Sequence, residues 1–182
     1  MSLLGAVSPG RRQTMNWTFS AGFPDNLSGR SALVGSAIVV FLTGTAVYLL
    51  GRDWTTTLFL TPVSAWQPEF HVSFGFLGAS LPSLCHAYAF TLLIILALWP
   101  ARHARLAGAF SWLLVASALE CLQAEAISDV VAAGTGWFAG NPLVDGVLAY
   151  MMNGHFDVAD LAATAVGVAA AFVATSILEK KT

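Results

Sequence analysis

Residues 31–50 read SALVGSAIVVFLTGTAVYLL, a stretch without a charged side chain that lies between Arg30 and Arg52. About twenty apolar residues are needed to cross the hydrocarbon core of a bilayer as an α-helix. The stretch follows thirty residues of mixed composition, is longer than the apolar part of a signal peptide, and is not followed by a small-residue cleavage site. We therefore expect it to be a membrane span rather than a cleaved leader.

The composition of the whole chain is also typical of a membrane protein. Of its 182 residues, 57% are hydrophobic and 10% are charged, whereas an average soluble domain is about 25% charged. A chain of this length forms one domain, and its aqueous core could not bury so much apolar surface. The net charge of −2 argues against nucleic-acid binding, which requires a basic face. The two cysteines, Cys85 and Cys121, are too few for a disulfide framework.

Three further apolar segments have the length of a membrane span. Because lipid-exposed backbone must satisfy its hydrogen bonds internally, we expect all of them to be helical. Pro82 lies at the start of the first of these segments. We expect it in the first helical turn, where a missing N–H costs little. The sequence thus predicts an all-α, polytopic transmembrane helix bundle with spans at residues 31–50, 81–99, 106–125 and 157–178. Residues 1–30 would form an N-terminal segment, and residues 31–182 the transmembrane domain.

The basic residues predict the orientation of the bundle. Cytoplasmic loops of membrane proteins carry an excess of Lys and Arg. With the N-terminus inside, only Arg52 lies outside, directly after the first span. The other basic residues then all lie on the cytoplasmic side: Arg11, Arg12, Arg30, Arg102, Arg105, Lys180 and Lys181. We therefore expect both termini and the segment 1–30 to be cytoplasmic, and long outer loops at residues 51–80 and 126–156.

Polar side chains from three predicted spans fall in one layer near the outer surface. At 1.5 Å per residue, His86 lies about 7 Å below the outer end of its span, and Glu120 lies roughly 9 Å below the outer surface. Ionisable groups in lipid are costly and normally face the bundle interior, where they are paired. We therefore expect one interhelical polar cluster, which binds a ligand or stabilises the bundle, made of His86, Glu120, Gln123, His155, Asp157, Asp160 and Thr164. Ile95, on the opposite face of its span from His86, is expected to face lipid.

Simpler structural roles are open to the same residues. Asp157 and Asp160 fit an N-cap and a third-position acid, which stabilise the start of a helix. Glu120 and Gln123, at i and i+3 on one helix face, suit a hydrogen-bonded lock between two spans. His86 suits a structural histidine. We assign no catalytic residue, metal or cofactor, because the histidines and acids show no tight ligand spacing such as HxxxH.

Three short motifs carry a family resemblance. They are His86 with Tyr88 and Phe90, the E-x-x-Q of Glu120 and Gln123, and the segment GHFDVAD at 154–160 with Gly167 after it. With them, residues 81–178 resemble the VanZ-like family of bacterial membrane proteins. The chain has His155 where the family usually has Arg, and Thr164 where it usually has Asn. The resemblance implies a small multi-pass protein of the bacterial cytoplasmic (inner) membrane. The family is named after a protein linked to teicoplanin resistance, and it has no established reaction.

Three functions are compatible with these features. The sequence favours a non-catalytic VanZ-like envelope protein whose polar cluster binds a lipid head group or an envelope component. The alternative is an accessory or assembly subunit of a larger respiratory or photosynthetic membrane complex, because the Ala- and Gly-rich span 157–178 suits packing against other helices. An enzyme or metal site ranks last. The expected partners are membrane lipids, together with other integral membrane subunits under the alternative, and not nucleic acid.

The predicted orientation can be measured by cysteine accessibility. In a chain lacking Cys85 and Cys121, a cysteine introduced at Ser64 or Gly140 should react with an impermeant reagent added to intact cells. Both positions lie in predicted outer loops. Labelling of either position only after lysis would overturn the arrangement.

Overall fold

A computed structural model describes most of the chain beyond its N-terminal segment. The described residues are 27–54, 61–70, 72–99, 101–134 and 154–180, with 140–141, 144–145, 148 and 151–152. All regular structure in them is helical. The helices described over their whole length are α1 (Leu27–Gly51), α2 (Gly75–Ala97), α3 (Ala104–Leu122), α4 (Glu125–Gly134) and α5 (Val158–Lys180), with a 3-10 helix at Thr61–Trp66. The predicted segment 1–30 lies almost entirely outside the described residues.

Four of these helices, α1, α2, α3 and α5, are long and apolar enough to cross a membrane. This confirms the predicted all-α chain with four apolar spans. The bounds of all four helices differ from the predicted ones, by six residues at the start of α2 and by fewer elsewhere. The helix α2 begins at Gly75, so Pro82 lies inside it, and the prediction of a first-turn proline was wrong. The helix α3 ends at Leu122 because the N–H groups of Gln123 and Ala124 bond carbonyls three residues back, at 3.1 Å each, which tightens the last turn before α4.

Contacts between helix ends show that the four long helices run alternately up and down. At one end, the Val72 N–H donates to the Leu50 carbonyl at 3.1 Å, joining the end of α1 to the approach to α2. At the other end, Arg105 at the start of α3 donates to Ser176 near the end of α5 at 3.0 Å. We call this second end, which carries Arg30, Arg102 and Arg105, the basic end. The opposite end is called the acidic end.

A close contact joins α2 and α5 at Gly167. A Cβ atom built on Gly167 would collide with the Leu84 carbonyl oxygen and would lie 3.0 Å from the Ala87 Cβ and from the Tyr88 nitrogen. The two backbones therefore touch at this point, as small residues allow in membrane bundles. Ala171, one turn further along α5, is fully buried in the core cluster of Leu33, Ala37, Ala89, Leu92 and Ala171.

The helix α2 occupies the centre of the bundle. It packs against α1, α3 and α5, so its faces are covered by protein on three sides. Ile95 is 0% exposed, and its Cγ1 would lie 2.6 Å from a Cβ built on Gly108 of α3. The prediction that Ile95 faces lipid was therefore wrong. The prediction assumed that each span has one buried face and one face toward lipid. A central helix has no face that meets lipid along its whole length.

The outer surface of the bundle carries large apolar side chains. In α3, only Ala104 and Gly108 are buried, while Phe110 is 71% exposed. Exposed valine, isoleucine and leucine side chains also cover the outward faces of α1 and α5. A soluble protein rarely exposes contiguous apolar surface of this kind. A hydrocarbon environment accounts for it.

The α2–α5 contact generates a test with a matched control. Replacing Gly167→Ala should force the two helices apart, and overpacking of this kind costs about 1–3 kcal/mol. Gly35→Ala in α1 adds the same methyl group where no atom lies within 4 Å, so it should leave stability unchanged or raise it by about 0.5–1 kcal/mol. Thermal unfolding in mild detergent measures both. Equal melting temperatures for the two variants would contradict the close approach.

Candidate functional site

The start of α5 is capped from two directions. The Asp157 carboxylate accepts the Ala159 N–H at 2.8 Å, which is the bond of an N-cap residue. The N–H of Asp157 itself donates to Glu120 Oε1 of α3 at 2.7 Å. In a capping box, this second bond comes from the third residue of the same helix. Here a carboxylate of a neighbouring span makes it, so Glu120 joins α3 to the start of α5.

Gln123 makes a second junction between α3 and the segment before α5. A Cβ built on Gly154 would collide with the side-chain amide of Gln123, so the amide lies directly against the backbone of that residue. Glu120 and Gln123 are three residues apart, as are the positions that they touch, Asp157 and Gly154. The i, i+3 face of α3 thus meets an antiparallel segment at matching intervals.

Asp160, the third residue of α5, points away from its own cap and toward α2. Its carboxylate lies near the hydroxyl groups of Ser83 and Ser80 of α2. Neither serine completes full hydrogen-bond geometry with Asp160 Oδ1, which is buried and makes no hydrogen bond to the described part of the chain. Ser80 Oγ is likewise buried and unbonded there. Because Glu120 bonds the Asp157 N–H, Asp160 is free to take this position.

Three carboxylates therefore interact at the acidic end of the bundle. Glu120 is within electrostatic range of both Asp157 and Asp160, and the Arg52 guanidinium at the end of α1 is within range of Asp160. We call these three acids with Ser80 and Ser83 the carboxylate cluster. The described residues contain no three His, Cys, Asp or Glu side chains placed to hold a metal ion.

Thr164 lies one turn beyond Asp160 on the α5 face that meets α2. It is 7% exposed, and Gly167 continues the same stripe at the contact with Leu84. Thr164 therefore belongs to the packed interface below the carboxylate cluster, rather than to its open part. Its position separates the polar end of the α2–α5 seam from the apolar core.

His86 contacts α1 and its own helix rather than the carboxylates. Its Nε2 lies 3.4 Å from Thr45 Oγ1, and its ring lies 5.2 Å from that of Phe41 and 6.4 Å from that of Phe90. No described interaction joins it to Glu120 or Asp160. The structure thus brings Glu120, Asp157 and Asp160 together but places His86 in a separate aromatic contact.

His155 has no described contact with the side chains of the carboxylate cluster. It is exposed and lines a cleft of about 550 Å³ between the α3–α4 turn and the segment that precedes α5. Gln123 reaches both places, because it lines the cleft and packs on Gly154. Other polar side chains of the cleft come from α4, among them Glu125 and Asp129.

Sequence reasoning missed Ser80 and Ser83. They stand at i and i+3 near the start of α2, at the same end as the predicted polar layer, and this spacing was the available signal. The predicted span began at residue 81, whereas α2 begins at Gly75. The first turns of the helix, which carry Ser80, were therefore not considered as part of a span.

The fold and the site define a class: a multi-pass helical membrane protein with interacting carboxylates at one end of its bundle. No family model, curated protein or solved structure matches the chain. Its function is therefore argued from the site itself.

The bond between Glu120 and Asp157 generates a stability test. Glu120→Ala should leave the Asp157 N–H without its acceptor, and an unpaired group of this kind costs about 1–3 kcal/mol. The control is Leu114→Ala, which truncates a side chain of the same helix that is 65% exposed. Thermal unfolding in detergent should show a clearly lower melting temperature for Glu120→Ala. Equal tolerance of the two changes would mean that Glu120 does not hold α3 to α5.

Proposed function

We propose that this chain is a non-catalytic, VanZ-like protein of the bacterial inner membrane, which binds the head group of a lipid or a lipid-linked envelope component at the carboxylate cluster. The observation that carries the proposal is the buried Oδ1 of Asp160, which makes no hydrogen bond to the described part of the chain. A ligand that donates a hydrogen bond would complete this site.

The distribution of satisfied and unsatisfied groups favours binding over a purely structural lock. A polar network that only stabilises a bundle pairs each of its members. Glu120 and Asp157 follow that rule, since both accept backbone N–H groups. Asp160 Oδ1 and Ser80 Oγ depart from it, and these two lie in the same cluster, whereas the other buried atoms without a described hydrogen bond are Arg30 Nε, Thr91 Oγ1 and Trp112 Nε1. Leaving a buried acceptor unpaired costs about 1–3 kcal/mol, a cost that a donating ligand removes.

Among the described residues, no hydrogen bond or electrostatic contact pairs a histidine with a carboxylate of the cluster. His86, which could act as a general base, interacts with Thr45 and Phe41 of α1. His155 is exposed and lines the cleft beside the α3–α4 turn. The proposal therefore assigns binding and not catalysis to the carboxylate cluster.

The proposed orientation and family rest on the sequence, and two features of the fold support them. The basic end carries Arg30, Arg102 and Arg105, opposite the carboxylate cluster, so an outward-facing cluster agrees with the positive-inside rule. The E-x-x-Q motif of α3 contacts the 154–160 motif directly. Two of the motifs that carry the VanZ-like resemblance thus form one structural unit.

The outward face of α3 supports the alternative function, an accessory subunit of a larger respiratory or photosynthetic membrane complex. Phe110 and its exposed neighbours on this helix offer a surface to a helix of another subunit as well as to lipid. Gentle purification in mild detergent distinguishes the two functions. The chain should elute with lipid and without other subunits under the head-group proposal, and with partner subunits under the alternative.

A single substitution tests the head-group proposal. Asp160→Asn keeps the shape of the side chain but removes its charge, and it should reduce the amount of lipid that co-purifies with the chain, as counted by mass spectrometry. Hydrogen bonds to charged groups contribute about 1.5–3 kcal/mol, so a loss of about tenfold in retained lipid is expected.

The matched control is Asp145→Asn, which removes the same charge from an exposed side chain outside the carboxylate cluster. It should retain as much lipid as the unmodified chain. Equal lipid content in all three proteins, each folded by its melting curve, would refute the proposal that the carboxylate cluster binds a head group.

A further inference from the structure

The carboxylate cluster presents hydrogen-bond acceptors and buried hydroxyl groups to any ligand. Ionised carboxylates accept hydrogen bonds and donate none. Two of its polar atoms, Asp160 Oδ1 and Ser80 Oγ, are buried without a hydrogen bond to the described chain. Ser80 is only 9% exposed, and its hydroxyl lies near the Asp160 carboxylate. The Ser80 oxygen is not part of an acidic side chain, so it is an observation independent of the three acids. A small group with several donors could bond both atoms.

The charge of the cluster selects among such groups. Three carboxylates interact here, and the one cation found to act on Asp160 among the described residues is Arg52. A primary ammonium group matches this surplus, because it carries a positive charge, three donors and no acceptor. A quaternary ammonium group has no N–H donor and would leave Asp160 Oδ1 unpaired.

Arg52 can bind an anion beside the ammonium site. Its guanidinium lies over the Tyr48 ring, with 5.7 Å between the guanidinium carbon and the ring centroid, and the residue is exposed. Guanidinium groups bind phosphate in a bidentate manner. The ammonium site at Asp160 and the exposed guanidinium of Arg52 lie within electrostatic range of each other. Together they suit a zwitterionic ligand.

The surroundings of the carboxylate cluster suit a ligand with acyl chains. Leu119, Phe156 and Val158 flank Glu120 and Asp157 along the chain, and all three are exposed large apolar side chains. A free small molecule in water would gain nothing from them. A lipid would bury its chains against this surface while its head group entered between α2 and α5.

We infer that the carboxylate cluster binds a phosphoethanolamine head group of a membrane lipid, with the ammonium group at Asp160 and Ser80 and the phosphate at Arg52. The inference rests on the proposed head-group function and names its ligand. The ammonium group donates to Asp160 Oδ1 and to Ser80 Oγ, the two buried atoms of the cluster that make no hydrogen bond to the described part of the chain.

Native mass spectrometry of the full chain tests this ligand. The chain is released from micelles that contain equal amounts of phosphatidylethanolamine, phosphatidylcholine and phosphatidylglycerol with identical acyl chains. Phosphatidylethanolamine should be retained about tenfold more than phosphatidylcholine, the factor contributed by one charge-assisted hydrogen bond. Soluble phosphoethanolamine at the same concentration should not displace it.

Each contrary result has a separate meaning. Equal retention of phosphatidylcholine, or a preference for phosphatidylglycerol, overturns the ammonium inference and leaves the head-group proposal standing. Full displacement by soluble phosphoethanolamine overturns the statement that the ligand is the head group of a lipid. Retention of none of the three lipids counts against this inference, and the absence of any co-purifying lipid from cells would in addition remove the proposed function.

A mild variant links the preference to the cluster. Ser80→Ala removes one buried hydroxyl and should reduce the preference for phosphatidylethanolamine several-fold, with the melting temperature unchanged or raised because an unpaired buried group is lost. Ser111→Ala, at an exposed serine of α3, is the control and should keep the full preference. An unaltered preference in Ser80→Ala would place the ammonium group elsewhere.

Discussion

The approach of α5 to α2 at Gly167 is the contact on which the rest of the bundle depends. The absence of a side chain at this position lets the α5 backbone reach the Leu84 carbonyl of α2. Between membrane helices, where lipid removes the hydrophobic driving force, such van der Waals contact is a main source of affinity. The helices α1 and α3 pack on the remaining sides of α2, which is therefore the central helix. On the α3 side, Ile95 packs against Gly108 and is buried where a two-faced span would expose it.

The same contact determines where the charged groups lie. Asp160 is two turns before Gly167 on the α5 stripe that meets α2, so the close approach carries its carboxylate into the seam beside Ser80. The cap of α5 would ordinarily use this third-position acid. Glu120 of α3 takes that bond instead. The packing at Gly167 thereby leaves Asp160 Oδ1, two turns away, without a described hydrogen bond.

Parts of the candidate site were predictable from the residues and parts were not. Depth arithmetic placed Glu120 and Asp160 near one level, because the rise of a helix per residue is constant. The same arithmetic placed His86 at that level, yet its ring faces Thr45 of α1. The depth calculation gives the position of a residue along the helix axis. It does not show which neighbouring helix the side chain of that residue faces. Ser80 was missed because the start of α2 lies ahead of the predicted span.

The sequence by itself determined that the chain is helical, that four of its segments can cross a membrane, and that its polar groups gather near one end. These properties are local, since they depend on segment length and on the solvation of each side chain. The tertiary structure alone decided which groups meet: Glu120 with the Asp157 N–H, Asp160 with α2, and His86 with α1. Those pairings depend on the rotation of each helix about its axis, which is set by packing against its neighbours, as at Gly167.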